Sequence, residues 1–346
     1  MVEPRIVILE GRGSNPLNPL LNFKTQNTKL KMKISTTTSL STSVWSMVGA
    51  LQATEAMLGP NRQWKGDSEQ HQWMINLFTA LQKETTTLPE LEAIASTHAS
   101  EINQFLADRG FNITINELNA NEFATAAVLS VLIEWKVEGE RTKHSIGGAR
   151  YDFVKMKNTE AQINFMPPPS DFAAIISDAS TAKENYIVSV ATKREGERAY
   201  FMMSEKAPES IQELVDTINR LRVEKSSPKF LDSKTEFYFP MVELDQEIEE
   251  EQGLNCLIGL QTFDTTDNPW EVRYAKQQNI LKINEKGALA KSATVITTRG
   301  GFAMSDTENM IIDKPFYFWI EREDLSEPLF TAYITAENWI DPGDLN

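Results

Sequence analysis

The chain has 346 residues, of which 41% are hydrophobic, so it can bury a sizeable core and wholesale disorder is excluded. Its 34 basic and 49 acidic side chains give a formal net charge of −15, which argues against nucleic-acid binding and against docking on an anionic membrane. The single cysteine, Cys256, excludes an intramolecular disulfide, and no apolar run is long enough to span a bilayer. We therefore expect an acidic, soluble monomer.

Prolines and glycines punctuate the first 28 residues, which are therefore predicted to form an irregular segment. An apolar run at residues 6–9 is too short for a signal peptide. This predicts a cytoplasmic or otherwise intracellular protein, with export by a non-classical route left open. Residues 29–346 are predicted to form a single domain that begins with a strand over 29–38.

Helical spacing of apolar residues is the main pattern up to about residue 110. It predicts helices over residues 39–57, 68–83 and 88–109. Residues 121–136 then contain a nearly continuous apolar run, which is typical of a strand buried on both faces.

Strand patterns dominate from residue 151 onward. One amphipathic helix is predicted over 210–223, and the charged stretch 193–198 is predicted to be a hairpin tip. The acidic run 247–251 indicates the solvated face of a short helix. Helices followed by strands favour an α+β fold. The predicted strands are 151–156, 161–166, 186–192, 199–204, 235–242, 279–284, 315–321 and 329–335.

Motifs for enzymatic chemistry are missing from the sequence. The three histidines, His71, His98 and His144, show no metal-ligand spacing with one another or with Cys256. No phosphate-binding loop and no nucleophile elbow occurs. The apolar neighbours of Cys256 indicate a buried, inert thiol. We predict a chain that is not an enzyme and that has no metal site and no cofactor.

A segment of small and polar residues follows the strand predicted over 279–284. Within it, alternate positions carry small, uncharged side chains up to an isoleucine, while Lys291 belongs to the other set. Since side chains alternate between the faces of a strand, this segment could be a loop in one state and a central strand in another. The first set is Ala288, Ala290, Ser292, Thr294 and Ile296.

At this point the sequence resembles the serpin family of serine protease inhibitors. Residues 283–287, Ile-Asn-Glu-Lys-Gly, are similar to the serpin hinge, and 313–320, Asp-Lys-Pro-Phe-Tyr-Phe-Trp-Ile, to a strand motif of the family. Residues 39–43, 186–204, 235–242 and 329–333 also resemble serpin segments. Five features depart from the family pattern. The N-terminal helix of typical serpins and the Asn-x-Trp-Val motif after the front helix have no recognisable counterpart. Tyr333 replaces an arginine, Lys291 interrupts the run of small residues, and Gly139 stands where the family has a tryptophan.

The resemblance implies a serpin-like α+β domain with one large mixed sheet, two smaller sheets and surrounding helices. It implies a reactive-centre loop at about 286–312, and shutter-like roles for Ser39 and Ser41. The loop hinge would comprise Glu285, Gly287, Ala288, Ala290, Ser292, Ala293 and Thr294.

The same resemblance implies a suicide inhibitor of a serine or cysteine protease, acting by loop cleavage and insertion into the central sheet. Counting from the hinge places the cut after Gly301, whereas counting back from the next strand places it nearer Met304. Side-chain chemistry favours Phe302, for a chymotrypsin-like enzyme, followed by Arg299, for a trypsin-like one. The alternative is a non-inhibitory binding or structural protein with the same fold.

Overall fold

The computed structural model describes residues 5–11, 38–169, 186–224, 235–248, 253–289 and 309–345. Most of the strand predicted over 29–38 lies outside these residues. The helices are α1 (Val44–Leu58), α2 (Glu69–Leu81), α3 (Ala99–Ala107), the single turn α4 (Asn158–Ala161) and α5 (Ile211–Glu224).

Strands form most of the described chain. In chain order they are β1 (Arg5–Gly11), β2 (Leu40–Thr42), β3 (Leu91–Ser96), β4 (Glu122–Leu129), β5 (Ile133–Glu134), β6 (Glu140–Ile146), β7 (Ala149–Lys157), β8 (Asn164–Met166), β9 (Ile187–Ala191), β10 (Glu197–Met203), β11 (Glu236–Pro240), β12 (Val242–Ile248), β13 (Gln261–Phe263), β14 (Pro269–Ile283), β15 (Gly287–Leu289), β16 (Met310–Ile311), β17 (Phe316–Arg322) and β18 (Phe330–Ile334).

The strands build one large sheet and two smaller ones. The central sheet has eight strands in the order β3-β4-β1-β14-β15-β5, and β12 and β13 pair along the opposite edge of β14. A six-stranded sheet has the order β2-β18-β17-β10-β9-β8, and a four-stranded sheet the order β16-β11-β7-β6. The predicted α+β architecture, with one large and two smaller sheets, is confirmed.

The central sheet is covered on both faces, which explains the apolar run of β4. Phe123, Ala127 and Leu129 belong to the main core together with α1, whereas Ala124 and Ala126 pack in a second cluster with α3. This alternation follows from the two-residue period of a strand. We call the α1 side the back face and the α3 side the front face.

The two smaller sheets meet through an aromatic core. The ring of Phe201 on β10 lies 4.9 Å from that of Phe239 and 5.4 Å from that of Phe237, both on β11. Phe318 on β17 packs edge-on against the same ring at 5.2 Å. Such contacts add to the large apolar area that buried phenylalanines contribute.

A buried ion cluster ties the six-stranded sheet to the loop before β3. Arg322 donates hydrogen bonds to Glu90 at 2.8 Å and to Glu197 at 2.9 Å. Burial by itself would raise the pKa of Glu90, but the hydrogen bond and charge of Arg322, with the charge of Arg194, hold it below its usual value.

Four predictions about elements were wrong. The helix predicted over 39–57 begins only at Val44, because residues 40–42 pair with β18 as strand β2. The helix predicted over 88–109 is in fact β3 followed by α3, because the first half pairs with β4. Residues 5–11 of the segment predicted to be irregular form β1, because two distant strands supply its hydrogen-bond partners. The short helix predicted over 247–251 begins within β12, which pairs with β14.

Candidate functional site

The hinge predicted at the end of β14 is a tight reversal of the chain. The Asn284 backbone N–H donates to the Gly287 carbonyl at 3.0 Å, and the Lys286 N–H donates to the Asn284 side-chain oxygen at 2.8 Å. Beyond this turn, β15 runs antiparallel to β14, with Ala288 opposite Ile283 and Leu289 opposite Lys282. The first residues after the hinge therefore already belong to the central sheet.

On its other side β15 pairs with β5, and this pairing requires a glycine. Gly287 lies opposite Glu134, and Ala288 lies opposite Ile133. A Cβ atom at position 287 would lie 2.1 Å from the carbonyl oxygen of Ile133, far inside contact distance. Ala288 is 1% exposed, so a small side chain is buried at the second position of the strand.

Trp135 holds the hinge turn from the β5 side. Its indole N–H donates to the Asn284 carbonyl at 2.9 Å, and its backbone N–H donates to the Lys286 carbonyl at 3.0 Å. The Gly139 N–H donates to the Glu285 carbonyl at 2.8 Å. The sequence comparison predicted no tryptophan at this end of the sheet; Trp135 provides one, four residues before the position of the family motif.

Charge pairing secures the outside of the same turn. Arg141 lies 2.8 Å from the carboxylate of Glu285 and 2.8 Å from that of Asp341. Burial would lower the pKa of Arg141, but these two carboxylates raise it above its usual value. Glu285 is nearly buried, so its charge depends on this arginine for compensation.

Below the hinge, the sheet has an insertion slot between β4 and β14. Both strands pair antiparallel with β1 and therefore run parallel to each other. β1 fills the slot from Trp270 to Gln277 of β14, while β15 fills it at residues 282–283. Between these two pairings, residues 278–281 of β14 have no partner strand in the slot among the described parts of the chain.

The predicted shutter residues lie beneath this slot on the back face. Ser41 donates to Gln246 of β12 at 2.9 Å, and its carbonyl accepts a hydrogen bond from the Asn279 side chain at 2.8 Å. The neighbouring Thr42 donates to the Gln277 side chain at 3.2 Å. The strand β2, which precedes α1, is thus tied to β12 and β14 by polar contacts.

Ser39 secures the same strand from the other side. Its hydroxyl donates to Asn338 at 2.6 Å and accepts from the Thr335 backbone N–H at 2.9 Å. Sequence reasoning missed Gln246, Gln277 and Asn279 as partners of this serine-rich turn. The signal in the sequence that could have identified them is the presence of polar side chains at inward-facing positions of long strands.

The remaining predicted site residues lie outside the described residues. These are Ala290, Ser292, Ala293, Thr294, Arg299, Gly301, Phe302 and Met304.

Other classes of site find little support in the described part of the chain. Within it, no group of three or more His, Cys, Asp or Glu side chains is arranged to hold a metal ion. Cys256 is buried, as predicted, and a ring nitrogen of His71 lies 2.7 Å from the Ile258 carbonyl. Of the helices described, none is long and apolar enough to cross a bilayer.

Comparison with known proteins identifies the family. The model of the serpin (serine protease inhibitor) family matches residues 94–336, more than half of the chain. The chain therefore belongs to the serpin family. No curated protein matches it significantly.

Solved serpin structures share this architecture at low sequence identity. SRPN18 from Anopheles gambiae has a TM-score of 0.52 at 12% identity, over 90% of this chain and 96% of that chain. The mouse protein-Z dependent protease inhibitor has a TM-score of 0.48 at 14% identity, over 86% and 90%. A serpin from Schistosoma mansoni has a TM-score of 0.48 at 10% identity, over 86% and 95%. The first of these supports the serpin fold.

Proposed function

We propose that this serpin is a suicide inhibitor of a serine or cysteine protease and that its cleaved loop inserts between β4 and β14. The observation that carries the proposal is β15, because the start of the loop already forms a strand that pairs with β14 through residues 288–289 and with β5 through residues 287–288. Insertion would therefore extend an existing strand, and the first strand pairing would not have to form anew. Serpin loop insertion is itself a standard example of strand addition to a sheet.

Extending the register of β15 supports the same proposal. Since residues 288 and 289 lie opposite 283 and 282, the next inserted residues would lie opposite 281, 280 and so on. Ala290 would then lie opposite Leu281, Ser292 opposite Asn279, and Thr294 opposite Gln277. These three positions of β14 are buried, and paired residues share a face, so the small uncharged set would enter the crowded back face.

The alternate set of loop side chains, which includes Lys291, would lie on the front face. Lys291 would lie opposite Ile280, which is only partly buried against the α3 cluster. A lysine can keep its ammonium group in water while its stem lies on apolar surface. The interruption of the small-residue run therefore falls on the face that tolerates a charge.

The polar groups beneath the slot also suit an inserted loop. The side-chain oxygen of Asn279 is buried and has no hydrogen-bond donor among the described residues. A serine hydroxyl at the opposite position, 292, would supply a donor. Because an unpaired buried acceptor is costly, such a bond would favour the inserted state.

We place the cleaved bond after Phe302, with Arg299 as the second choice and Gly301 and Met304 as further candidates. A phenylalanine or arginine side chain can fill a protease specificity pocket, whereas glycine fills none. We further propose that the protein acts as an intracellular monomer. Its buried lone cysteine fits a reducing compartment.

One observation favours the alternative, a non-inhibitory binding or structural serpin. The slot that the loop would enter is already occupied over Trp270–Gln277 by β1. A permanent occupant would leave the loop outside the sheet after cleavage.

The test is a panel of trypsin-like and chymotrypsin-like proteases, scored for complexes that survive SDS. We expect a covalent complex, lost in Ala290→Arg although the loop is still cut, because that arginine would enter the back face. Lys291→Arg is the matched control on the front face and should inhibit like wild type. Cleavage between residues 299 and 304 of wild type with no covalent complex would contradict the proposal and favour the alternative.

A further inference from the structure

We propose that β1 is an exchangeable occupant of the insertion slot, which the loop must displace to complete its insertion. The effect of β1 on loop insertion rests on the proposed function, whereas the occupancy of the slot by β1 can be tested separately. In this arrangement the N-terminal segment regulates insertion by competing for the same two strands.

The registers show that the two segments need the same positions. In β1, Arg5 lies opposite Gln277 and Gly11 lies opposite Trp270. By the register of β15, loop residues 294–301 would lie opposite 277–270 of β14. One edge of a strand can pair with one partner at a time, so residues 294–301 cannot enter until β1 leaves.

The direction of β1 is also that of an inserted loop. β1 is antiparallel to β14 on one side and to β4 on the other, with Arg5 opposite Ala127 and Glu10 opposite Glu122. β15 is likewise antiparallel to β14 and to β5. β1 therefore continues the line of β15 after a gap of four positions of β14.

One feature of the pairing marks β1 as replaceable. Its register with β14 shifts between Ile8 and Leu9, so the ladder is interrupted near its middle.

The chain length allows release and return without unfolding the rest of the protein. Twenty-eight residues separate Gly11 from Leu40, the first residue of β2. A tether of this length keeps the released strand at high effective concentration near the slot. The incoming loop would meet the Arg5 end of β1 first, because residue 294 is the first to need an occupied position.

The first experiment tests occupancy with Val7→Pro. Val7 is an inner residue of β1 and lies opposite Ala275 and Thr125. Proline removes the N–H and is not tolerated inside a sheet, so it should release β1. Val2→Pro, outside the strand, is the control. The probe is a fluorescent synthetic peptide with the sequence of residues 5–11. We expect the peptide to bind Val7→Pro, but not wild type or Val2→Pro.

The second experiment measures how fast the loop inserts after it is nicked, from the gain in thermal stability. We expect insertion about tenfold faster in Val7→Pro, the change that one or two lost ladder hydrogen bonds give. Ile6→Pro, at a second position that pairs with both β14 and β4, should speed insertion likewise and keeps the test informative if Val7→Pro misfolds.

The outcomes separate the two proposals. If Val7→Pro binds no peptide and its β4 and β14 amides exchange with deuterium as in wild type, β1 does not fill the slot and the inference is overturned. Equal insertion rates in wild type, Val7→Pro and Ile6→Pro would also overturn it. Peptide binding to Val7→Pro without insertion in any variant would support occupancy while contradicting the proposed function.

Discussion

Substituting the hinge glycine by alanine, Gly287→Ala, should expel β15 from the central sheet. The added Cβ would lie 2.1 Å from the Ile133 carbonyl oxygen, and its three nearest neighbours are all backbone atoms of Ile133 and Glu134, which cannot turn aside as a side chain can. Releasing β15 would break the Gly287 hydrogen bond to Asn284 and the Trp135 hydrogen bond to Lys286, each 3.0 Å long.

These losses set the expected size of the effect. Two hydrogen bonds at about 1 kcal/mol each, with exposure of the Ala288 methyl group, give about 2–3 kcal/mol of destabilisation. The assay is urea unfolding together with deuterium exchange at the amides of residues 133–135. Lys286→Ala is the control in the same turn. Its ammonium group forms a partly exposed ion pair with Asp344 at 3.0 Å, so it should cost less than about 1 kcal/mol.

Wild-type stability and wild-type amide protection in Gly287→Ala would refute this reasoning. The two results together would mean that the hinge does not pair with β5 in the native protein. Loss of protection without loss of stability would show that β15 pairs weakly and that the estimate of its free energy is wrong.

Three further predictions concern the supports of the hinge, the shutter and the buried ion cluster. Trp135→Phe removes the indole donor to the buried Asn284 carbonyl and should cost about 1–3 kcal/mol in urea unfolding, with faster exchange confined to the hinge turn. Ser39→Ala removes the acceptor of the buried Thr335 N–H and should cost a similar amount, whereas an unchanged unfolding midpoint would contradict that hydrogen bond. Glu90 has a lowered pKa in the folded state, so its charge stabilises the fold above a glutamate's ordinary value of 4.5 and loses this effect as pH falls through the folded-state pKa. Glu90→Gln should therefore be less stable than wild type at pH 7, with the difference shrinking below pH 4.5; a difference independent of pH would contradict the ion pair.

Local sequence patterns were sufficient to predict elements in which pairing with a distant segment does not override the local preference. The amphipathic spacing of residues 211–224 and the strand character of 316–322 follow from side chains within each segment, and both elements occur where predicted. The hinge sequence likewise identified the end of β14 and the turn that follows it.

Elements that depend on distant partners were not predicted. Leucine and isoleucine at three-residue spacing made residues 88–96 look helical, but pairing with β4 outweighs that preference in β3. β14 is 15 residues long, but only its last five residues were predicted, although Trp270, Val272 and Tyr274 alternate with charged residues as in a half-buried strand. β1 has partners more than a hundred residues away in sequence, and nothing within residues 5–11 indicates them.

The candidate site likewise has parts that the sequence indicates and parts that depend on distant segments. The hinge and the serine-rich turn were singled out because their residues match a family pattern, and their roles in insertion stay predictions. The contacts of Trp135, Gln246 and Asn279 could not, because each joins segments that are far apart in sequence. The occupied slot is a property of pairing register, which depends on the assembled sheet.

The most direct test of loop insertion is a thermal melt of the intact protein beside a sample nicked between residues 299 and 304 and still held together. Our account predicts that nicked wild type melts well above intact wild type, because the loop adds a central strand with hydrogen bonds on both edges. It also predicts that nicked Ala290→Arg melts no higher than its intact form. An unchanged or lower melting temperature for nicked wild type would contradict insertion and leave a serpin fold without the inhibitory mechanism.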